Sequence, residues 1–247
     1  LSSTHSKIEK NIIQEFEEII VSTLSFDTNE LKEMYLYSWI IQTFHSLGIL
    51  EQICNFYQKQ NDFSILDFYD LFLDFCRTET SIFSQEFQII SEFMNKGYSG
   101  KGWDHYDSSL GEIYWPIEEA SWLRLTSNIP ELFNSIKLFT LFINSKKNLQ
   151  ISENVLNDLI EFQLFLLTTK DQKEQTKIKQ FNHDWKLFFT TNFELNQLQV
   201  KYEYQNLITT SNDFSWNYET IWFGRFKQKY KISPKTLDTV ISLSKYV

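Results

Sequence analysis

Apolar residues recur at helical spacing over the first two thirds of the chain. Ile8, Ile12, Ile13, Phe16, Ile19 and Ile20 predict an amphipathic helix over about 7–22. Asp27 followed by Glu30 has the form of a capping box and opens a second helix. That helix carries Leu31, Met34, Tyr35, Trp39, Ile40 and Phe44, falters near Gly48 and continues to Tyr57. Ser64 with Asp67 opens a third, with Phe68, Leu71, Phe72 and Phe75 on one face. A fourth runs through Phe83, Phe87, Ile90, Phe93 and Met94 and stops at Gly97.

A glycine-rich run (Gly97, Gly100, Gly102) leads into Trp115-Pro116-Ile117-Glu118-Glu119, where Pro116 suits a first helical position. The two glutamates then fall in the first turn, where the helix dipole favours negative charge. Further helices start at Asn128-Pro130 and at Ser152, the latter ending in an apolar stretch from Phe162 to Leu167 that asks for burial. Residues 169–180 are polar and read as a linker. Beyond them the period changes: Leu198, Val200, Tyr202 and Tyr204 alternate with polar residues, as in a half-buried strand. A short aromatic helix over 213–223 follows. The pattern predicts a mainly α, irregular multi-helix fold with a small β element near 197–205. It divides the chain into a helical domain over 1–169 and a smaller helix/strand subdomain over 170–247 packed on it.

Composition agrees with this pattern. Six Gly and three Pro among 247 residues force few turns, and 23 Phe, 12 Tyr and 7 Trp supply a core. The net charge of −9 is uneven, with 11 Lys/Arg against 24 Asp/Glu over 1–169 and 12 against 8 beyond. An acidic body argues against nucleic acid as a partner. No apolar run approaches the ~18 residues of a membrane span. Cys54 and Cys76 lie within apolar helical patterns, as small core residues do, and form neither a disulfide framework nor a zinc site. The expected location is cytoplasmic, and the Leu at position 1 suggests a piece of a longer polypeptide.

Catalytic motifs are missing: there is no phosphate-binding glycine loop, no metalloprotease histidine pair and no nucleophile elbow. The sequence assigns no catalytic residue and no metal ligand. Among its histidines, His45 sits beside Tyr37, Trp39 and Phe44 and is either a core histidine or an imidazole that meets substrate. Asp104-His105-Tyr106-Asp107 reads as a solvated loop rather than a metal site. Glu118 and Glu119 point roughly 100° apart on a helix, so at most one faces inward, and a buried one would need Arg124 or Arg225. Arg225 could clamp a carboxylate or phosphate, or tie the tail to an acidic surface.

Taken in order, Tyr35–Trp39 with Gln42–Gly48, Asp67-Phe68-Tyr69, the run from Gly111 to Leu123 and Trp222-Phe223-Gly224-Arg225 resemble the C-terminal region of cobalamin-binding radical SAM enzymes. The resemblance implies a parent enzyme whose N-terminal cobalamin-binding domain and radical SAM barrel hold a 4Fe-4S cluster, S-adenosylmethionine and cobalamin. This chain has neither the Cys-x3-Cys-x2-Cys motif nor the Asp-x-His-x2-Gly loop, so none of those cofactors is expected to bind to it. It would be an accessory, substrate-side domain for a small molecule, with Tyr37, His45, Trp115, Glu118, Glu119 and Arg225 shaping the substrate pocket. The competing expectation is a free-standing helical protein-interaction module.

Overall fold

Helix caps set the frame of the protein. The computed structural model describes residues 5–7, 18–61, 63–167, 176–191, 195, 197–208, 213–225 and 230–235. Contacts divide the chain into two compact units, Leu1–Leu149 and Gln150–Val247. The boundary lies ahead of the one read from the sequence, because the helix after Ser152 packs on the strand that follows it. Most of the predicted 7–22 helix lies outside the described residues, and residues 18–22 are not helical.

In the first unit, α1 (Thr28–Ile40) opens on the expected capping box. Asp27 Oδ1 accepts from the amides of Asn29 and Glu30 at 2.7 and 2.9 Å, and Glu30 Oε2 accepts from Asp27 N at 2.8 Å. The helix does not simply falter at Gly48. It widens into a π-helical turn over Ile41–Ser46, closed where Leu47 N donates to Gln42 O at 3.0 Å. The wider turn brings Phe44 fully inside, and Gly48, at φ +83°, ends it. Then come α2 (Glu51–Asn61), α3 (Ile65–Thr78, with the Ser64/Asp67 capping box) and α4 (Ile82–Tyr98). After a 3-10 turn at Ser108–Leu110 follow α5 (Ile117–Thr126) and α6 (Ile129–Lys147).

The core of this unit is aromatic. Phe44, Phe72, Phe83 and Phe139 are all buried, with centroids 4.5 Å apart for Phe44–Phe72, 5.3 Å for Phe72–Phe83 and 5.1 Å for Phe72–Phe139. Such tilted and edge-on pairs add to simple area burial. The polar atoms of the large rings find partners. Trp39 Nε1 donates to Ser121 Oγ at 3.0 Å, Trp122 Nε1 to Leu47 O at 3.1 Å, and Tyr57 Oη to Asn144 Oδ1 at 2.9 Å. Cys54 and Cys76 are buried free thiols.

The second unit contains α7 (Glu153–Phe165), β1 (Thr176–His183), α8 (Trp185–Thr190), β2 (Gln197–Asn206), α9 (Asp213–Arg225) and β3 (Tyr230–Lys235). The strands form one antiparallel sheet in the order β1-β2-β3, with Lys179 opposite Tyr202 and Tyr202 opposite Pro234. The expected strand near 197–205 is β2, but its alternation is buried only in its second half, at Tyr202 and Tyr204, while Leu198 is exposed. Pro234 is tolerated because β3 is an edge strand.

The expected linker ends early, since β1 begins at Thr176. Its polarity misled because lysines cover the inner face. Lys177 Nζ stands 4.9 Å from the Phe165 ring centre and 4.2 Å from that of Tyr204, its stem lying along apolar surface. No helix among the described residues is long and apolar enough to cross a membrane.

Candidate functional site

Gly100 and Gly102, at φ +74° and +94°, turn the chain back on itself after α4. Trp103 is thereby laid on Gly97 and contacts three rings, with centroids 5.3 Å from Tyr35, 5.3 Å from Phe93 and 5.1 Å from Tyr98. The returning chain is held where Trp115 N donates to His105 O at 3.1 Å and by the bridge between Tyr106 and Tyr114. It then enters α5, with Pro116 as the N-cap one residue before the first helical position.

These elements line an open pocket of about 500 Å³. Its walls are the rings of Tyr35, Phe93, Tyr98, Trp103 and Trp115, aliphatic side chains, and Glu118 on the first turn of α5. Thr43 Oγ1 donates to Glu118 O at 3.2 Å and fixes this turn against the π-helical segment. Burial raises the Tyr35 phenol well above its ordinary pKa, and the nearby Glu118 carboxylate raises it further. An apolar, ring-lined space with one carboxylate can bind and orient a small molecule, and Glu118 is the only charged residue lining it among the described residues.

Only two of the six substrate-side residues read from the sequence, Trp115 and Glu118, line this cavity. Glu119 is fully buried, and His5 Nε2 approaches its Oε2 at 2.6 Å. Of the two arginines expected as its partner, Arg124 lies five residues on and points about 140° away on α5, and the Arg225 side chain lies outside the described residues. Tyr37 donates to Asp70, and His45 Nδ1 lies 3.1 Å from Tyr69 Oη, facing α3. Arg225 ends α9, and its side chain lies outside the described residues.

Arg124 builds a second cluster. Its Nε and Nη2 donate to the two oxygens of Glu86 at 2.7 Å each, and Nη1 donates to Asp107 Oδ2 at 3.0 Å and meets His105 Nε2 at 3.1 Å. Burial, then the Arg124 charge, pushes His105 down to about 4. At Asp107 burial works against ionisation, but hydrogen bonds from Ser109 and Arg124 hold it below the usual carboxylate range. The Asp104–Asp107 segment is therefore not a solvated loop throughout; half of it is an ion-pair clamp closing the glycine-rich loop onto α5.

No family model matches the chain, and no curated protein or solved structure matches it. The chain's cysteines do not fit an iron–sulfur cluster, since there are two, both are buried, and burial pushes the Cys54 thiol up to about 12. Among the described residues no three His, Cys, Asp or Glu side chains group as a metal site needs.

In the second unit, Asp158 on α7 is buried and accepts from Asn182 N at 3.0 Å, His183 Nδ1 at 2.8 Å and Trp185 Nε1 at 2.9 Å. It holds the irregular end of β1, where the register shifts between Phe181 and His183. A polar cleft of about 530 Å³ lies beside it, lined by Asn154, Asn157, Asn182 and His183 among others. The sequence hint was a carboxylate set between Leu156 and Leu159, on the helix face meant for burial. Trp103, Tyr98 and Phe93 were missed as site residues because only the glycine-rich turn unites them; the hint was a tryptophan directly after three closely spaced glycines.

Proposed function

We propose that residues 1–149 form a ligand-binding domain, not catalytic by itself, whose small-molecule substrate occupies the aromatic cavity. The observation that carries this reading is the convergence of five rings and one carboxylate on a space of about 500 Å³. That is the size and character of a small-molecule site, apolar walls with few polar groups. The resemblance of the chain to the C-terminal region of cobalamin-binding radical SAM enzymes supports a substrate-side role, because the Gly111–Leu123 run delivers both Trp115 and Glu118 to the cavity. On this reading the cluster, S-adenosylmethionine and cobalamin belong to N-terminal domains of a parent polypeptide, and this chain supplies a wall for the substrate.

Two measurements test the proposal. The neutral dye Nile red should bind the purified chain at one saturable site, with affinity reduced about tenfold or more in Trp103→Ala as the ring contacts are lost. Unchanged dye binding in a folded Trp103→Ala variant rejects the cavity. The gene upstream of the codon for Leu1 should encode a Cys-x3-Cys-x2-Cys motif; an immediate start codon rejects the radical SAM setting.

The second reading, a helical protein-interaction module, draws on α9. There Tyr218 and Trp222 are exposed and stack with centroids 6.4 Å apart at 8°, one turn from each other. Such an exposed aromatic pair suits a protein contact. The upstream gene sequence separates the two readings.

A further inference from the structure

We infer that the polar cleft of the second unit binds a neutral, hydroxyl-rich small molecule, a sugar or polyol, with the imidazole of His183 accepting from one of its hydroxyls. The inference is independent of the aromatic pocket in the first unit.

Three observations carry it. First, the open cleft of about 530 Å³ has polar residues on both sides. Asn154, Asn157, Asp158 and Glu161 stand at i, i+3, i+4 and i+7, along one face of α7. Across from them lie the paired ends of β1 and β2, where His183 and Gln197 are register partners. Val155 is the only apolar residue lining the cleft among the described residues.

Second, His183 is fixed as an acceptor. The residue is only 8% exposed, and its Nδ1 lies 2.8 Å from Asp158 Oδ2. Asp158 also accepts from Asn182 N and Trp185 Nε1, so the neutral imidazole carries its proton on Nδ1 and leaves a lone pair on Nε2. That nitrogen makes no hydrogen bond among the described residues. Nor is it sealed: the side-chain atoms that are both sealed and unpaired there are Asn157 Oδ1 and Thr220 Oγ1. A largely buried imidazole, oriented by a buried carboxylate, thus keeps one open acceptor on a residue that lines the cleft.

Third, the charges of the cleft are already in use. Asp158 is occupied by its donors, and Glu161 pairs with Lys179 at 3.1 Å. No lysine or arginine lines the cleft among the described residues, so a phosphate or carboxylate would meet no counter-charge. What remains on offer is neutral. The side-chain amides of Asn154, Asn157 and Gln197 make no hydrogen bond among the described residues. A half-turn of the Asn157 amide would also exchange its sealed oxygen for its nitrogen and bring a second acceptor to the cleft.

Matching decides the ligand. A side-chain amide holds a donor and an acceptor side by side, and a hydroxyl both donates and accepts. Adjacent hydroxyls can therefore give a proton to Nε2 and take one from an amide. A sugar carries them on a rigid ring, which limits the freedom lost on binding. An alkylammonium only donates and leaves the amide donors unused, and a planar base or an alkyl chain finds no apolar wall.

The experiment is titration of the full chain with glucose, galactose, mannose and xylose, read by NMR at the Nε2 nitrogen of His183. At least one sugar should bind saturably, with a Kd on the order of millimolar, and shift that resonance as a hydroxyl proton reaches the nitrogen. Inorganic phosphate and methylammonium over the same range should leave it unmoved. Asn154→Ala, at an exposed position outside the Asp158 network, should weaken sugar binding about fivefold with urea unfolding unchanged. If none of the sugars shifts the resonance, or if phosphate or methylammonium does, the assignment is overturned. Sugar affinity unchanged in Asn154→Ala would place the sugar outside the cleft and overturn it equally.

Discussion

The indole of Trp103 lies on the backbone of Gly97 so closely that a Cβ built on the glycine would stand 2.6 Å from the ring. Helix α4 thus ends in a flat seat, and the seat orients one wall of the aromatic pocket.

Gly97→Ala places two effects in opposition. Alanine gains up to about 1 kcal/mol of helix propensity, less near the end of a helix. The overlap with Trp103 costs about 1–3 kcal/mol as the ring is forced off its seat. Crowding should win, giving a net loss of roughly 1–2 kcal/mol in urea unfolding and a change in the near-ultraviolet circular dichroism of tryptophan. A variant more stable than the parent would show that Trp103 does not rest there.

The Arg124 cluster predicts an acid-sensitive step. Arginine has no acceptor, so the 3.1 Å contact requires His105 Nε2 to accept and the imidazole to be neutral with its proton on Nδ1. With its folded pKa lowered to about 4 from an ordinary 6.5, His105 is protonated more readily in the unfolded chain. Its contribution to stability is present above pH 6.5 and is lost as pH falls from 6.5 towards 4. Asp107 acts in the same direction at still lower pH, as its folded pKa lies below the usual carboxylate range. Because His105 is partly open to solvent, the loss should be on the order of 1 kcal/mol. Urea midpoints at pH 7 and pH 4.5 measure it, and His105→Gln should flatten the difference. An equally steep pH dependence in that variant would assign the step to other groups.

Asp158→Ala removes the shared acceptor of a backbone amide, an imidazole and an indole, each in or near the interior. Leaving those donors without a partner should cost about 3–5 kcal/mol. Amide hydrogen exchange at Asn182 should accelerate along with global unfolding of the second unit. A change below about 0.5 kcal/mol would mean that the end of β1 is held by other contacts.

Whatever depends on neighbours a few residues apart was legible in the sequence. The boxes at Asp27/Glu30 and Ser64/Asp67 are complete within four residues, and both form as read. The strand around Tyr202 and Tyr204 announced itself by its period of two. What stayed hidden depends on chain reversal. Tyr35 and Trp103 are 68 positions apart, and no local signal says that a glycine turn will bring their rings to 5.3 Å. The sequence offers Arg124 or Arg225 to a buried glutamate of α5, yet Arg124 reaches back to Glu86, 38 residues away. β1 was concealed for a different reason: Lys177 covers apolar rings with its stem, so a residue that looks solvated serves as a lid.

The sealed thiols of the first unit have a practical use. Burial pushes Cys54 up to about 12, and Cys76 is pushed up as well, chiefly by burial. Both thiols are buried and held in the unreactive protonated form at neutral pH, so the native protein should react only slowly with maleimides. A single cysteine introduced at fully exposed Leu24 would take up a spectroscopic label selectively, giving a reporter just ahead of α1 in an otherwise unaltered chain.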